Sequence, residues 1–490
     1  MESYALIKLV EQIQRDQCES QTLEVKAAAV GTPKRLYDTL SSFSNQDAGG
    51  VIVFGLDEKK GFELVGVFDV QQLQHDVSEQ CKQMEPEVRP LMTVAEMDSK
   101  LIMAVEIPGC DIAERPVFYK GAGRLRGSYI RSGDADEPMS EYEIYSYEAF
   151  RRRIRDDLRI VDEASVTMLR GDCIEAYITN IRKKSKHLDE YASNDDILEL
   201  MGIMKSQRIT MAGALNFGKY PQAWFPRLCI TAVVVPGMQM GDVGYSGERF
   251  LANETITGTL SDMLEDAILF VERNQRHKTV IDPDGRRRDK PEFPIKAVRE
   301  VLLNALIHRD YSHYTEGTPI TLCMYTDRME VMNKGGLYGR VSIDSLGKAH
   351  PDTRNPAIAG IMEALDKTEN RYSGIPTILN EMKNAGLPKP VFRVKDGEFT
   401  VILYNGYGAA PAEEHVFNES PRIYDATQRL LHYCEEPRTR EEISRYMNRT
   451  WISVKNQYIT KLLEAGMIRM TIPDHPKARE QRFITVQKAI

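Results

Sequence analysis

The chain has 490 residues, 42% of them apolar, with 64 Lys and Arg against 72 Asp and Glu for a net charge of −8. That length exceeds what one core usually serves, so about three or four domains are expected, and the acidic, mixed-charge balance excludes a globally basic nucleic-acid coat but not a local basic patch. Seven cysteines, odd in number and far apart with no Cys-x-x-Cys pair, indicate neither a disulfide scaffold nor structural zinc. No apolar run approaches the ~20 residues of a membrane span and the first residues lack a signal-type apolar core, so a cytoplasmic protein with no membrane partner is expected.

Residues 2–16 have the spacing of a short amphipathic helix. From Glu19 to Lys26 the second half alternates, which sets Glu24 and Lys26 on one face of a strand. A Glu-x-Lys with another acid nearby is a pattern of metal-dependent nucleases, and also of a surface strand bearing an ion pair. Residues 33–44 read as a helix, Asn45 to Gly50 as a turn, Val51 to Leu56 as a buried strand ending at Asp57, and 101–107 as a further strand. Lys120 to Arg131 is basic, glycine-rich and aromatic.

Glu-Ser-x-x-x-Glu-x-Lys, then Ser-Phe-Ser-Asn with Gly-Gly before a buried strand, then Tyr-Ile-Arg-Ser-Gly, together resemble a Schlafen AlbA-type domain over residues 15–145. The resemblance implies an α+β nucleic-acid-binding domain. In the nucleases of that family, two acids of the first element and one on a later strand hold a divalent metal, Mg²⁺ or Mn²⁺. Here they map onto Glu19, Glu24 and Asp57, with Asp47, Glu58 and Asp69 as alternatives for the third. Lys26 would steady charge on the phosphate. Lys120, Arg124, Arg126 and Arg131 would hold an RNA backbone, with Tyr129 stacking on a base.

A charge-dense helix begins near Arg151, and residues 195–204 form another. Gly213 to Tyr220 approximates a phosphate-binding loop. Tyr220, however, stands where the Mg²⁺-binding hydroxyl belongs, and Pro221 would interrupt the following helix. A strand-and-turn core is expected there instead.

From Glu292 to Tyr311 the apolar residues Ile295, Val298, Val301, Leu302, Ala305 and Leu306 fall at helical spacing, and Pro294 suits a first turn. Glu300, Asn304 and His308 line one polar stripe of the same helix. Asn can offer a neutral oxygen to Mg²⁺, and a Glu one turn away can orient or deprotonate a water attacking a phosphate; a solvated polar edge is the plain alternative. Strands over 318–325 and 329–332 follow, then Asn333-Lys334-Gly335-Gly336-Leu337. Arg354-Asn355-Pro356 opens a helix with Asn355 as its cap, and Ser373-Gly374-Ile375 opens another.

In this order Glu-x-x-x-Asn-Ala, His-Arg-Asp-Tyr, Asn-x-Gly-Gly-Leu, Arg-Asn-Pro and Ser-Gly-Ile resemble the divergent GHKL-type ATP-binding domain of RecG-related proteins, kin to gyrase B and histidine-kinase ATPases. The resemblance implies Glu300 as general base and Asn304 as Mg²⁺ ligand. Asn333, Gly335 and Gly336 would lie under the adenine, and His308, Ser373 and Gly374 would complete the ATP site. Asn333 replaces the usual adenine-reading Asp, and Tyr372-Ser373-Gly374 replaces Gly-x-Gly, so ATP binding is expected ahead of efficient turnover. No second Walker-like element marks a helicase motor.

A hairpin over 391–404 and a Gly/Ala/Pro/Glu-rich linker precede a last segment. Thr439-x-x-Glu442 is a capping box, a second helix spans 452–465, and two strands flank a basic turn. Helix, turn, helix and wing resemble a winged helix-turn-helix domain. That implies DNA contacts from Asn448, Arg449, Lys455, Asn456 and Lys461, or a dimerisation and packing role. The reading is an α/β (α+β) multidomain chain: Schlafen/AlbA-like 1–150, connecting 151–290, GHKL-like 291–405, linker 406–420 and winged helix 421–490. The expected function is an ATP-binding, nucleic-acid-binding (DNA or RNA), homo-oligomeric regulator of transcriptional type. A Schlafen-type metal-dependent RNA endonuclease, a weak ATPase and a non-catalytic scaffold are the alternatives.

Overall fold

The computed structural model describes residues 1–281, 287–348, 352–365, 367, 374–395, 397–406, 430, 431, 433, 434, 436–447, 451–464, 467–472 and 481–486. The fold is mixed α/β, in two compact units: Met1–Tyr147 with Glu414–Ile490, and Glu148–Glu413.

In the first unit the amphipathic helix α1 (Ser3–Asp16) buries Leu6, Val10 and Ile13 at helical spacing. Strands β1 (Leu23–Lys26), β2 (Gly50–Phe54), β3 (Leu91–Met97) and β4 (Lys100–Ile107) form a sheet in the order β1-β2-β4-β3. β1 runs parallel to β2, a pairing that needs a crossover, and helix α2 (Tyr37–Ser44) lies within it. Strand alternation divides the core. Val53, Ile102 and Ala104 pack with α1, while Ile52, Phe54, Met103 and Val105 pack with α2 and with α3 (Val70–Lys82).

The Gly49-Gly50 turn admits no side chain. Gly49 has φ +63° and a Cβ there would stand 2.2 Å from the Ile107 carbonyl oxygen, while one on Gly50 would meet the Phe43 ring at 2.4 Å. The hairpin β5 (Tyr129–Ser132) and β6 (Ala135–Pro138) is latched to α2 by buried polar groups. Tyr129 N donates to Ser41 Oγ at 2.8 Å, and Asn45 Nδ2 donates to the Tyr129 carbonyl at 3.1 Å. Ser41 and Asn45, which bracket Ser42-Phe43-Ser44, thus form a clasp that satisfies the backbone of the neighbouring hairpin.

In the C-terminal segment of this unit, Thr439 and Glu442 cap α4 (Arg440–Met447) reciprocally. A second helical stretch, Trp451–Val454, passes through a π-type turn, Lys455–Ile459, into Thr460–Glu464. Three short strands, Arg438–Thr439, Arg482–Thr485 and Ile468–Met470, pair in that order.

The second unit is built on a six-stranded sheet of β7 (Ile230–Val234), β8 (Ala252–Ile256), β9 (Ile320–Met324), β10 (Arg328–Lys334), β11 (Val391–Lys395) and β12 (Glu398–Tyr404), in the order β8-β7-β9-β10-β12-β11. β7 pairs β9 in parallel from Ile230↔Ile320 to Val234↔Met324. The sheet therefore crosses the boundary drawn at 290/291, because strands of the region read as connecting complete it. Helices α5 (Leu260–Asn274), α6 (Ile295–His308), α7 (Pro356–Ala364) and α8 (Gly374–Asn384) share one core with Ile230, Ala232, Leu322, Val331 and Leu403.

The stretch expected as strand and turn is instead a helix, Met211–Phe217, buried along its whole length and capped by the Thr210 hydroxyl. Seven consecutive buried residues leave no open loop for a phosphate. Among the described residues no helix is long and apolar enough to cross a membrane.

Candidate functional site

Helix α6 forms because its apolar residues fill one face, and the same periodicity brings its polar residues to one side of a cavity of 680 Å³. Glu300, Asn304 and His308 all line that cavity. Asn304 Nδ2 donates to Glu300 Oε1 at 3.1 Å, which leaves the amide oxygen as a hard donor. Gly374, the first residue of α8, stands against this pair: a Cβ there would lie 2.3 Å from Glu300 Oε1. Ser373 lies outside the described residues.

His308 is open on its cavity side, yet the surrounding protein pushes its pKa down to about 4, by burial first and the Arg354 charge second. The imidazole is neutral at neutral pH. Asn333 is buried on β10 opposite Phe399 and lines the cavity. Gly335 and Gly336 follow. Gly335 has φ +101° and a Cβ on it would come within 2.2 Å of Arg354 Nη1 and 2.8 Å of Asp310 Cβ.

One pairing beside the cavity went unread in the sequence. Arg354 pairs with Asp310 at 3.2 Å and donates to the Gly336 carbonyl at 3.3 Å. Asn355 does not cap its own helix as expected. Its amide donates to the carbonyls of Ile307 (2.8 Å) and Arg309 (2.7 Å), satisfying the C-terminal end of α6, while Asp157 accepts from Ala357 N at 2.7 Å. Arg-Asn-Pro therefore ties α7 to α6 beside the cavity. The signal was the co-occurrence of Asp310 and Arg354, which spacing alone does not pair. At the rim, Arg299 and Lys367 share Glu265 at 3.4 and 3.0 Å, and the Lys367 hydrogen bond leads the causes that hold that carboxyl below its usual range. The cavity thus joins a carboxylate–amide pair, a glycine turn and a cationic rim, a fit for a nucleotide with its Mg²⁺-bound phosphates.

In the first unit, Glu24 is buried, with one oxygen on the Lys26 ammonium and the other 2.7 Å from Arg131 Nη2. Glu19 Oε1 accepts from Val25 N at 2.6 Å. Its pKa is raised to about 7, by burial first, then by the Glu24 charge, with Glu58 adding to it. Asp57 does not join them. It caps the turn Glu58–Lys60 by accepting from Lys59 N at 3.2 Å, and Lys60 stands 3.6 Å away. Asp47 is paired with Arg115 at 2.7 Å and Asp69 caps α3, so of the acids considered Glu58 is the one whose charge reaches Glu19.

Among the described residues no group of three or more His, Cys, Asp or Glu is arranged to hold a metal ion. With both Glu24 oxygens taken by cations, the expected three-acid set does not fit a divalent ion as it stands. Arg131 is likewise not a surface contact. It is buried between Glu24 and Asp136 and lies over the Phe43 ring. Lys120 and Arg126 are exposed, Arg124 lies over Phe118 at 5.3 Å, and Tyr129 is half-buried with its hydroxyl 3.3 Å from Arg35. In the C-terminal segment Lys455 is exposed, while Arg449 and the Lys461 side chain lie outside the described set, as do Asn448 and the Asn456 side chain.

Residues 19–140 match the family model "Schlafen, AlbA_2", and residues 317–403 match the model "Putative ATP-dependent DNA helicase recG C-terminal". Among solved structures, the chain is similar to the DIP2311 protein from Corynebacterium diphtheriae at 19% identity and TM-score 0.40, over 98% of this chain and 96% of that one. It is also similar to the N-terminal domain of a RecG-related protein from Nitrosomonas europaea at 26% identity and TM-score 0.23, over 29% of this chain and 95% of that one. No curated protein matches the chain.

Proposed function

We propose that this chain is an ATP-binding, nucleic-acid-binding regulatory protein in which nucleotide occupancy of the second unit controls nucleic-acid engagement elsewhere in the chain. The observation that carries it is the cavity where Glu300 and Asn304 stand in contact beneath Gly374, with Asn333 and the Gly335 turn on another wall. Phosphates fit the rim of Lys296, Arg299 and Lys367, where α8 also begins. Asn304 would hold Mg²⁺, which supplies charge neutralisation of the phosphates when bound. Glu300 would accept a proton from water, and neutral His308 would donate or accept one hydrogen bond without adding charge.

Regulation requires that ATP bind two arrangements of the chain with different affinity. The Schlafen-like residues Lys120 and Arg126 supply exposed cations for a phosphate backbone. The C-terminal segment, read as a winged helix, offers Lys455 to DNA. Calorimetry with ATP and Mg²⁺ tests the base of this proposal: no binding by the wild type, or binding unchanged in Asn304→Ala, would sink it.

A second reading, a divalent-metal-dependent RNA endonuclease, draws on the crowding of Glu19 with Glu24 and Glu58. The neutralisation of Glu24 by Lys26 and Arg131 favours binding over cleavage. Incubation of structured RNA with Mn²⁺ separates the two. Cleavage by the wild type that vanishes in Glu19→Ala/Glu24→Ala would establish the nuclease.

A further inference from the structure

A second cleft in the Glu148–Glu413 unit lies apart from the ATP-type cavity and shares no lining residue with it. Its walls carry Arg153, Arg155, Arg159, Lys205 and Arg208 against a single lining acid, Asp162. Three of these cations already share carboxylates: Arg155 with Asp157 at 3.0 Å, Arg159 with Glu316 and Arg208 with Asp162. Arg153 and Lys205 are exposed, and among the described residues neither side chain has a hydrogen bond or ion pair.

The backbone holds both unmatched cations at local expense. Arg153 sits at φ +51°, in the turn closing the helix that ends at Arg151, where Arg153 N donates to the Phe150 carbonyl and Ile154 N to that of Ala149. That left-handed position favours glycine, because a Cβ crowds the following carbonyl there. Lys205 faces Arg208 directly across a two-residue hairpin whose turn residues, Ser206 and Gln207, also have positive φ, with their amides held by Glu199. Like charges directly opposite on paired strands destabilise the pair. An arginine where glycine is easier, and an unmatched lysine opposite an arginine whose own charge Asp162 already shares, make sense together when an anion lies in the cleft.

We propose that this cleft grips the phosphate backbone of a nucleic acid, so that the ATP-type unit itself contacts the strand. Guanidinium forks match phosphate oxygens two at a time, and the three arginines already paired can share those oxygens without leaving their acids. Leu158 and Ile160 are the apolar lining residues, too little for a hydrophobic peptide anchor. The inference rests on the nucleic-acid reading above and adds to it the location of a contact outside the Schlafen-like region.

The test is fluorescence anisotropy of the full chain with short single-stranded RNA and DNA oligonucleotides across a salt series. The pair Arg153→Gly/Lys205→Gln removes the two unmatched cations, and glycine relieves the strain at 153, so the variant melts no lower than the wild type. Loss of two phosphate contacts lowers the log–log salt slope by about 1.4. Arg153→Lys/Lys205→Arg, which keeps both charges, retains the slope. An unchanged slope in the neutral pair, with a reduced slope in Lys120→Gln/Arg126→Gln, overturns this inference and leaves the nucleic-acid reading standing. No oligonucleotide binding by the wild type overturns both. Inorganic triphosphate that binds the wild type but not the neutral pair, with oligonucleotide affinity unaffected, assigns the cleft to a free polyphosphate and overturns the strand contact.

Discussion

Arg131 Nη2 lies 2.7 Å from Glu24 Oε2, and its Nη1 lies 2.8 Å from Asp136 Oδ1, so one buried guanidinium holds a strand acid and a hairpin acid together. Asp136 in turn accepts from Thr39 at 2.7 Å and Ser42 at 2.5 Å on α2. The arginine is a structural clamp. Arg131→Met leaves buried Glu24 with Lys26 alone and half-buried Asp136 with the Thr39 and Ser42 hydroxyls, and removal of one partner from a buried charged set typically costs about 3–5 kcal/mol. Urea denaturation should show that loss, and Arg131→Met with Glu24→Gln should recover part of it. A loss under about 1 kcal/mol would return Arg131 to the solvated surface class.

Glu19 supplies a pH signature. Its pKa is raised to about 7 in the fold, above the ordinary carboxyl value of 4.5, so the native state holds the proton more tightly than the unfolded chain. The stabilising contribution is complete below the unfolded value and is lost as pH rises through about 7. Melting temperatures from pH 5 to 8 should therefore decline less in Glu19→Gln than in the wild type. Parallel curves would mean that Glu19 titrates as an ordinary surface acid.

The parts legible in the sequence were those written in short-range periodicity. The apolar stripe of α6 located the helix, and the four-residue spacing of Glu300 and Asn304 led to a 3.1 Å contact. What spacing could not show was convergence over long separations. Arg131 and Glu24 are 107 positions apart, and a basic residue in a glycine-rich stretch reads as surface until its partner is known. The pairing of β7 with β9 is likewise non-local, which is why a region read as a connection supplies strands to the sheet. Asp57 was a different kind of miss. An Asp two residues before a backbone amide it can cap is a local pattern, and it competes directly with a role in metal binding.

Gly335 tests the wall opposite the α6 stripe. Alanine there would need φ +101° and would drive a methyl into Arg354 and Asp310. Displacing Arg354 opens its contact with the Gly336 carbonyl and shifts the turn beside Asn333. Gly335→Ala should weaken ATP binding about tenfold or more, equivalent to about 1.4 kcal/mol, in a calorimetric titration. Affinity within about twofold of wild type would show that the turn does not contact the nucleotide.

The last prediction separates binding from turnover at the Glu300–Asn304 pair. Glu300→Gln keeps the size of the side chain and an oxygen that can accept from Asn304 Nδ2, but removes the basic carboxylate. If Glu300 takes a proton from water, ATP affinity should persist while hydrolysis falls by ~10²–10⁴-fold, the range typical of general-base catalysis. Asn304→Ala should behave differently. It removes the donor to Glu300 and the amide oxygen offered to Mg²⁺, so ATP affinity should fall in the presence of Mg²⁺ and much less in its absence. Affinity and turnover are measured for both variants, with and without Mg²⁺. Equal turnover in Glu300→Gln and wild type would remove Glu300 from proton transfer, and Mg²⁺-independent loss in Asn304→Ala would make that amide a packing partner of Glu300 rather than a ligand.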